Sequence, residues 1–519
     1  MHDSLLDAQF YQQSYGVAKD DALAHFLAEG DRLGFDPCPW FSTRFYKAQY
    51  PEWQAGGART AAEDFLLQIG QGQMRRPHPL IDPDYYLAAY PDLAELGAAA
   101  ALHFMGQGDT EVRSPSAGFD AGFYQRCYLA LDQRQPFRHF VTIGQGLGHL
   151  PVPEPRSRSQ SRAAMEGLIG GLTRPVLVCL HDAQPAGVPI LTLDLAGAVA
   201  ARGWRPVFVL HRAGPLIDRF RGLGPVLIVA EGWDREGLIE GLAPETPVIV
   251  TTAAAADMAA AGRGHSCLVL IHEMAEYIRE QGFFTHLRSA QAAGARLIAS
   301  MPRMAGALAG EVGTPEVLRP GIILPDAGMS DFRRMREWRH RQDGPVFIGA
   351  GHADRRKGFD LFLEAALLLR EADVQARFIW LGALDPWARA LADQARAEGL
   401  ALILPGFVAD SLAWYRAADV YLLTSRQDPG PTTVIHAAAV GTPFVGYAAD
   451  IGLIGMTEGI GHFVPPGDVA AYVTAAQRAE ASVGVAQRRA LRRHIRAETA
   501  FAPYVEALLS RLMPRRSAG

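Results

Sequence analysis

GAGHADRRKGFD (349–360) and SRQDPGPTTVIHAAAVGTP (425–443) each follow an apolar, strand-like run and open a helix-like one. Together they set basic side chains, glycines and a helix N-terminus at the carboxyl ends of successive strands. A doubly wound parallel sheet binds phosphorylated ligands at that edge, because free backbone N–H groups and the helix dipole favour negative charge there.

Outward from these stretches, strand-like and helix-like segments alternate over most of the chain. Apolar runs at Pro175–Leu180, Pro206–Leu210, Pro225–Ala230, Pro247–Thr251, Cys267–Ile271 and Arg296–Ala299 form one series. Pro345–Gly349, Arg377–Leu381, Leu400–Leu404, Val420–Thr424, Pro443–Tyr447 and His462–Val464 form a second. Short apolar runs separated by helical patterns are how buried parallel strands read. The expected fold class is α/β: two Rossmann-like domains facing a cleft, at 174–328 and 343–480, followed by C-terminal helices and a tail at 481–519.

Residues 1–155 obey a different rule. A doubled aromatic recurs at Phe10-Tyr11, Phe45-Tyr46, Tyr85-Tyr86 and Phe123-Tyr124, at separations of 35, 40 and 38. Each is followed by His25-Phe26, Phe65-Leu66, His103-Phe104 or His139-Phe140, then by Gly30, Gly70, Gly108 or Gly144, then by Pro37, Pro77, Pro115 or Pro151. A fixed spacing copied four times predicts a mostly α-helical array of small stacked units. Each glycine-to-proline step is expected to end a helix and turn the chain. Histidines in three of the four units suit a packed face better than a metal site. Residues 156–173, rich in Pro, Arg, Ser and Gly, read as a linker.

Composition narrows the function classes. The chain has 519 residues, 49% of them apolar and 20% charged, with a formal net charge of -5. That balance fits a globular protein and speaks against bulk nucleic-acid binding. The basic runs RRALRRHIR (488–496) and RLMPRR (511–516) read as solvated helix faces or as patches touching an anionic membrane surface. Four scattered cysteines indicate neither a zinc site nor a disulfide framework. The start of the chain lacks signal-peptide regions, and no long uncharged apolar run is present, so a cytoplasmic location is expected.

The paired motifs resemble those of the donor-sugar half of retaining glycosyltransferases of family four, which have the two-domain GT-B fold. The N-terminal units are similar to repeats beside bacterial polysaccharide glycosyltransferase domains. In that family a lysine before glycine and an arginine about five residues earlier hold the departing nucleoside diphosphate. Lys357 matches the lysine, and His352 stands where the arginine would be, with Arg355 or Arg356 as replacements. Two acidic residues in an E-x7-E pattern lie near the donor sugar and on the ribose diol. Alignment on the following Gly-Thr-Pro puts Asp428 at the first position and His436 at the second. Pro431, Thr432 and Thr433 open the intervening helix, with Thr432 or Thr433 as its cap and its amides toward the phosphates.

The resemblance extends to the first domain. Gly187 matches a small-residue loop that approaches the donor diphosphate. His181-Asp182 resembles the His-Asp of some polysaccharide transferases, and His272-Glu273 matches a His-Glu whose histidine faces the transferred sugar. The resemblance implies Asp428, His272 and Lys357 as catalytic residues, with Gly187, His352, Arg355, Arg356, Lys357, Thr432, Thr433 and His436 binding the donor. It implies a hexosyltransferase working with retention in cell-surface polysaccharide, lipopolysaccharide or glycoprotein assembly. The co-substrate would be a nucleoside-diphosphate sugar, with no cofactor and no metal, and the acceptor a glycan, glycolipid or glycoprotein. Further partners would be the inner membrane, touched peripherally, or a protein, through the repeats or the basic C-terminal segment; no nucleic acid is expected. The alternative is a catalytically degenerate GT-B scaffold that binds glycan or protein.

Overall fold

The computed structural model describes residues 5–130, 133–262, 264–324, 328–372, 375–408, 410–428, 430, 432–451, 461–482 and 484–512. Two parallel sheets dominate it. The first contains β1 (Pro175–Leu180), β2 (Arg205–Leu210), β3 (Val226–Ile228), β4 (Val248–Val250), β5 (Cys267–Ile271), β6 (Arg296–Ala299) and β7 (Glu316–Val317). Their order is β3-β2-β1-β4-β5-β6-β7. The second contains β8 (Val346–Ala350), β9 (Arg377–Leu381), β10 (Leu402–Gly406), β11 (Val420–Leu423), β13 (Phe444–Tyr447) and β15 (Gly461–Val464), ordered β10-β9-β8-β11-β13-β15. β12 (Gln427–Asp428) and β14 (Asp450–Ile451) form a separate parallel pair beyond the ends of β11 and β13. All twelve strand-like runs coincide with strands to within a residue or two. β7, β12 and β14 are two residues each, too short to leave a hydrophobic run.

Packing explains the motif glycines nearest the second sheet. The helix Phe359–Ala372 buries Phe359, Phe362, Leu363, Ala366 and Leu369, a stripe at helical spacing. Phe359 and Phe362 pack edge-on to Trp380, the largest wholly buried side chain. Gly349 leaves room for that indole: a Cβ there would lie 2.7 Å from its ring. Trp380 Nε1 donates to the Gly351 carbonyl at 2.9 Å, so the ring also pins the start of the loop.

By compactness the chain divides into two units. The first is residues 1–165, 181–185 and 209–241; the second is 166–180, 186–208 and 242–519. A cut at 155 therefore does not separate the helical region from everything after it. Tyr128 donates to Glu231 at 2.6 Å, Gln184 to the Leu129 carbonyl at 2.7 Å, and Arg156 lies over the Trp233 ring. The linker expected at 156–173 is largely a helix, Arg158–Gly170. Ser161 on that helix accepts from the Asp234 amide, and Arg158 pairs with Glu236 and Glu240. Ser161 is buried in that contact, while Arg158, Ser159 and Arg162 remain exposed.

Within the first unit each of the four N-terminal segments buries the second aromatic of its pair: Tyr11, Tyr46, Tyr86 and Tyr124. Their hydroxyls bond His25 Nδ1 at 2.8 Å, Asp64 Oδ2 at 2.7 Å, His103 Nδ1 at 3.1 Å and His139 Nδ1 at 2.9 Å. Amides of Asp7, Ser42, Asp82 and Asp120 donate to the carbonyls of Pro37, Pro77, Pro115 and Pro151. Helices end within these glycine-to-proline steps: Gly70, Gly108 and Gly144 are the last residues of theirs, and the helix that runs past Gly30 stops at Leu33. Gly30, Gly108 and Gly144 each close a π-helical turn, where a Cβ would overlap the tyrosine hydroxyl. The left-handed residues come later, at Gly34, Gly72, Val112 and Gly148. The Asp64 segment lacks the π turn, and a Cβ on its Gly70 would meet nothing.

The C-terminal helices are not an appendage. Tyr504, Val505, Leu508 and Leu512 of the helix Phe501–Leu512 pack with Val176, Leu195, Ile249, Leu268 and Ile298 in the core of the first sheet. The helix Val485–Glu498 uses Arg488 to bond the Ala418 and Gly441 carbonyls and Asp419, and Arg496 to bond the Ala439 carbonyl. Two guanidiniums thus meet the C-terminal end of the helix Thr432–Ala439, where carbonyl charge favours cations. Arg488 is half-buried by these contacts, while Arg496 stays exposed beside its carbonyl bond. Residues 513–516 of the RLMPRR run and Pro431 lie outside the described residues.

Candidate functional site

The two motifs form one braced structure. Gly358 (φ +70°) carries the loop past Thr424, whose carbonyl a Cβ would strike. Arg426 fills the other side: its guanidinium forks onto Asp360 with two bonds of 2.8 Å and reaches the Arg355 carbonyl at 2.7 Å. Its amide donates to the Arg356 carbonyl at 2.8 Å. Sequence reasoning did not single out Arg426. Its one signal was a basic residue two positions before Asp428.

This brace brings Lys357 and Asp428 together as an ion pair, with Asp428 buried and Lys357 mostly so. Asp354 fixes the loop by accepting from the Lys357 amide at 2.7 Å, and Ser425 Oγ lies 3.4 Å from Asp428 Oδ2. An ammonium has three donors, so one can serve Asp428 while the others address a phosphate. Arg355 and Arg356 are exposed and go elsewhere. Arg356 donates to the Gln427 carbonyl at 3.1 Å, alongside Asp428, whereas Arg355 lies over the Trp387 ring at 5.7 Å. Arg356, not Arg355, sits nearer the pair. His352 is exposed at the start of the same loop.

The helix Thr432–Ala439 buries Val434, Ile435, Ala437, Ala438 and Ala439. Thr432, Thr433 and His436 occupy its remaining face, at i, i+1 and i+4. Thr433 turns inward, its hydroxyl 2.8 Å from the buried Tyr421 hydroxyl, while Thr432 is exposed at the first turn. Burial pushes the His436 imidazole down to about pKa 4. An unperturbed imidazole would titrate between about 5.5 and 7.5; this one is neutral throughout that range.

On the first sheet, Gly187 is not in a loop but is the first residue of the helix Gly187–Ala200, exposed, with open space where a Cβ would stand. His272 follows the end of β5. Its Nε2 is buried without a hydrogen-bond partner among the described residues. Burial, partly offset by Glu273, holds its pKa below the usual value. Glu273 serves the backbone: it accepts from Thr252 Oγ1 and from the amides of Ala253 and His272. Glu276, four residues past His272, accepts a hydrogen bond from Gln427, the neighbour of Asp428. That contact joins the carboxyl edges of β5 and β11. His181 and Asp182 lie in the first unit, where Asp182 pairs with Arg212 at 3.4 Å. Among the described residues no group of three or more His, Cys, Asp or Glu could hold a metal, and no helix is long and apolar enough to cross a membrane.

A strand–loop–helix frame thus presents the Lys357–Asp428 pair next to the first turn of the helix Thr432–Ala439. Residues 344–481 match the family model of the glycosyl transferases group 1. Over 163 residues the chain is 31% identical to D-inositol 3-phosphate glycosyltransferase of Paenarthrobacter aurescens, covering 29% of this chain and 40% of that protein. Mannosylfructose-phosphate synthase of Agrobacterium fabrum is 33% identical over 124 residues, covering 22% of this chain and 27% of the relative. The chain thus spans less than half the length of these curated relatives. In three dimensions, Anabaena HepE in complex with UDP superposes with a TM-score of 0.55 at 18% identity, over 65% of this chain and 99% of that one. Sucrose-phosphate synthase from Thermosynechococcus elongatus gives 0.51 at 20% identity, over 65% and 98%. The two sheet domains are of the GT-B type.

Proposed function

We propose that this protein is a glycosyltransferase that moves a hexose from a nucleoside-diphosphate sugar to a glycan, glycolipid or glycoprotein acceptor with retention, in cell-surface glycan assembly. The observation that carries the reading is the Lys357–Asp428 pair beside the first turn of the helix Thr432–Ala439. As the glycosyl bond to the diphosphate breaks, negative charge grows on the departing phosphoryl oxygens. Lys357 and the helix amides stabilise that charge without reorganising, which lowers the barrier. Asp428 holds the ammonium in place and lies toward the sugar. His272 offers its neutral, half-buried imidazole as a hydrogen-bonding group for a sugar hydroxyl. The names of the matched relatives support sugar transfer, and the UDP complex of the structural neighbour supports the donor class.

A thermal-shift screen of nucleotide sugars, followed by calorimetry with the corresponding nucleoside diphosphate, tests this. Lys357→Ala should lower turnover about 10²–10³-fold, the effect of removing one preorganised charge-stabilising donor, and weaken diphosphate binding with it. A folded variant with unchanged diphosphate affinity removes Lys357 from the role. Donor binding without hydrolysis or transfer on any acceptor favours the degenerate scaffold.

A further inference from the structure

Three helices of the second unit carry arginines that the donor site does not use. On Val485–Glu498, Arg489, Arg493 and Arg496 face solvent with His494, opposite the buried Leu491 and Ile495. On Ser411–Ala417, Arg416 is exposed. On Met329–His340, Arg333, Arg334 and Arg336 are exposed. These helices adjoin. Asp419 joins two of them, pairing with Arg339 at 2.8 Å and Arg488 at 3.2 Å, and Met335 packs on Ala413 and Ala417. Burial, then the proximity of Arg416, Arg496 and Arg489, holds the Arg492 guanidinium below its usual pKa. Acids are outnumbered here: Glu337 is exposed on Met329–His340, Asp331 pairs with Arg334, and Glu498 pairs with Arg319. A chain of net charge -5 has concentrated positive charge on this surface.

Apolar side chains lie among these cations. Met329 is 81% exposed, Phe332 lies 6.0 Å from the Arg416 guanidinium, and half-buried Trp338 and Trp414 pack together with centroids 6.5 Å apart. Interleaved arginines, tryptophans and exposed apolar residues on a helix suit the boundary between lipid headgroups and acyl chains. The contact between Trp338 and Trp414 takes up ring surface that stacked nucleic-acid bases would need. We infer that the surface formed by the helices Met329–His340, Ser411–Ala417 and Val485–Glu498 docks the protein on an anionic lipid bilayer. This does not depend on the glycosyl-transfer reading, since none of these residues belongs to the donor site.

Full-length protein is co-sedimented with vesicles of phosphatidylglycerol and phosphatidylcholine, and with phosphatidylcholine alone. Binding should require phosphatidylglycerol and weaken with salt. Arg489→Glu with Arg493→Glu should reduce it at least about tenfold, since each cation near an anionic surface adds to attraction. Arg489→Gln with Arg493→Gln, a milder change, should give an intermediate loss at an unchanged melting temperature, and Met329→Asp a smaller one. Nucleoside-diphosphate affinity, measured on the same variants, should not move, which separates this test from that of the donor site. Variants that bind vesicles like the parent overturn the inference. So does a parent protein that ignores vesicles, whether or not it binds single-stranded RNA or polyglutamate.

Discussion

Histidine is used in opposite ways in two regions of this molecule. In the N-terminal segments His25, His103 and His139 each bond a buried tyrosine hydroxyl, so the imidazole completes a packing unit. At the carboxyl edge of the first sheet, His272 is as firmly placed but keeps Nε2 without a partner among the described residues. Desolvated polar groups are normally satisfied within the protein, so one that is not calls for an explanation, which the proposed function supplies as a sugar hydroxyl. The first kind recurs with the repeat spacing and the second does not. Recurrence here goes with a packing contact, and the isolated histidine at the strand end is the one the proposed function uses.

The harshest way to break this comparison is to remove the recurring region. From the linker reading, deletion of residues 1–160 leaves a folded two-domain protein. The structure gives the opposite expectation, because residues 181–185 and 209–241 belong to the same compact unit as residues 1–165. The truncated chain should lose cooperative unfolding and expose apolar surface, read by calorimetry and dye binding. A sharp transition at the parental temperature would restore the simpler partition.

A finer contrast lies between glycines at equivalent places. Gly108→Ala should cost about 1–3 kcal/mol, because the methyl overlaps the Tyr86 hydroxyl and the segment must shift. Gly70→Ala, in open space at the end of a helix, should be neutral or stabilise by up to about 1 kcal/mol. Chemical denaturation of both variants reads the difference directly. Equal costs would mean that the tyrosine–histidine contact does not shape the segment.

The smallest effects concern His436. Its folded pKa of about 4 lies below the value of an unfolded histidine. The unfolded chain therefore binds more protons between about pH 6.5 and 4, and this residue's contribution to stability falls as pH drops through that window. His436→Gln should flatten that part of the stability profile, while nucleotide binding in the parent stays level from about pH 5.5 to 7.5 as far as this group is concerned. If His436 stands on the ribose diol, His436→Glu should tighten nucleotide binding by about 1 kcal/mol, the worth of one added hydrogen bond. Equal or weaker binding together with a lower melting temperature would remove it from the ribose.

Much of the fold was legible because a buried parallel strand is a local fact. It needs only a short apolar run with turn residues at its ends, and Cys267–Ile271 and Arg377–Leu381 satisfy that within five residues each. The lysine and aspartate of the site were legible for a related reason: each lies in a loop whose neighbouring strand and helix announce themselves. Tertiary structure decided what those loops do with their charges. Arg355 and Arg356 are adjacent in sequence, yet one lies over Trp387 and the other bonds the backbone before Asp428, because consecutive side chains in a turn point to different sides. Arg426, Arg488 and the helix Phe501–Leu512 gain their roles from partners 47 to more than 300 residues away, in contacts no local pattern encodes. Spacing determined which elements form; the meeting of distant elements determined which polar groups the protein satisfies and which it does not.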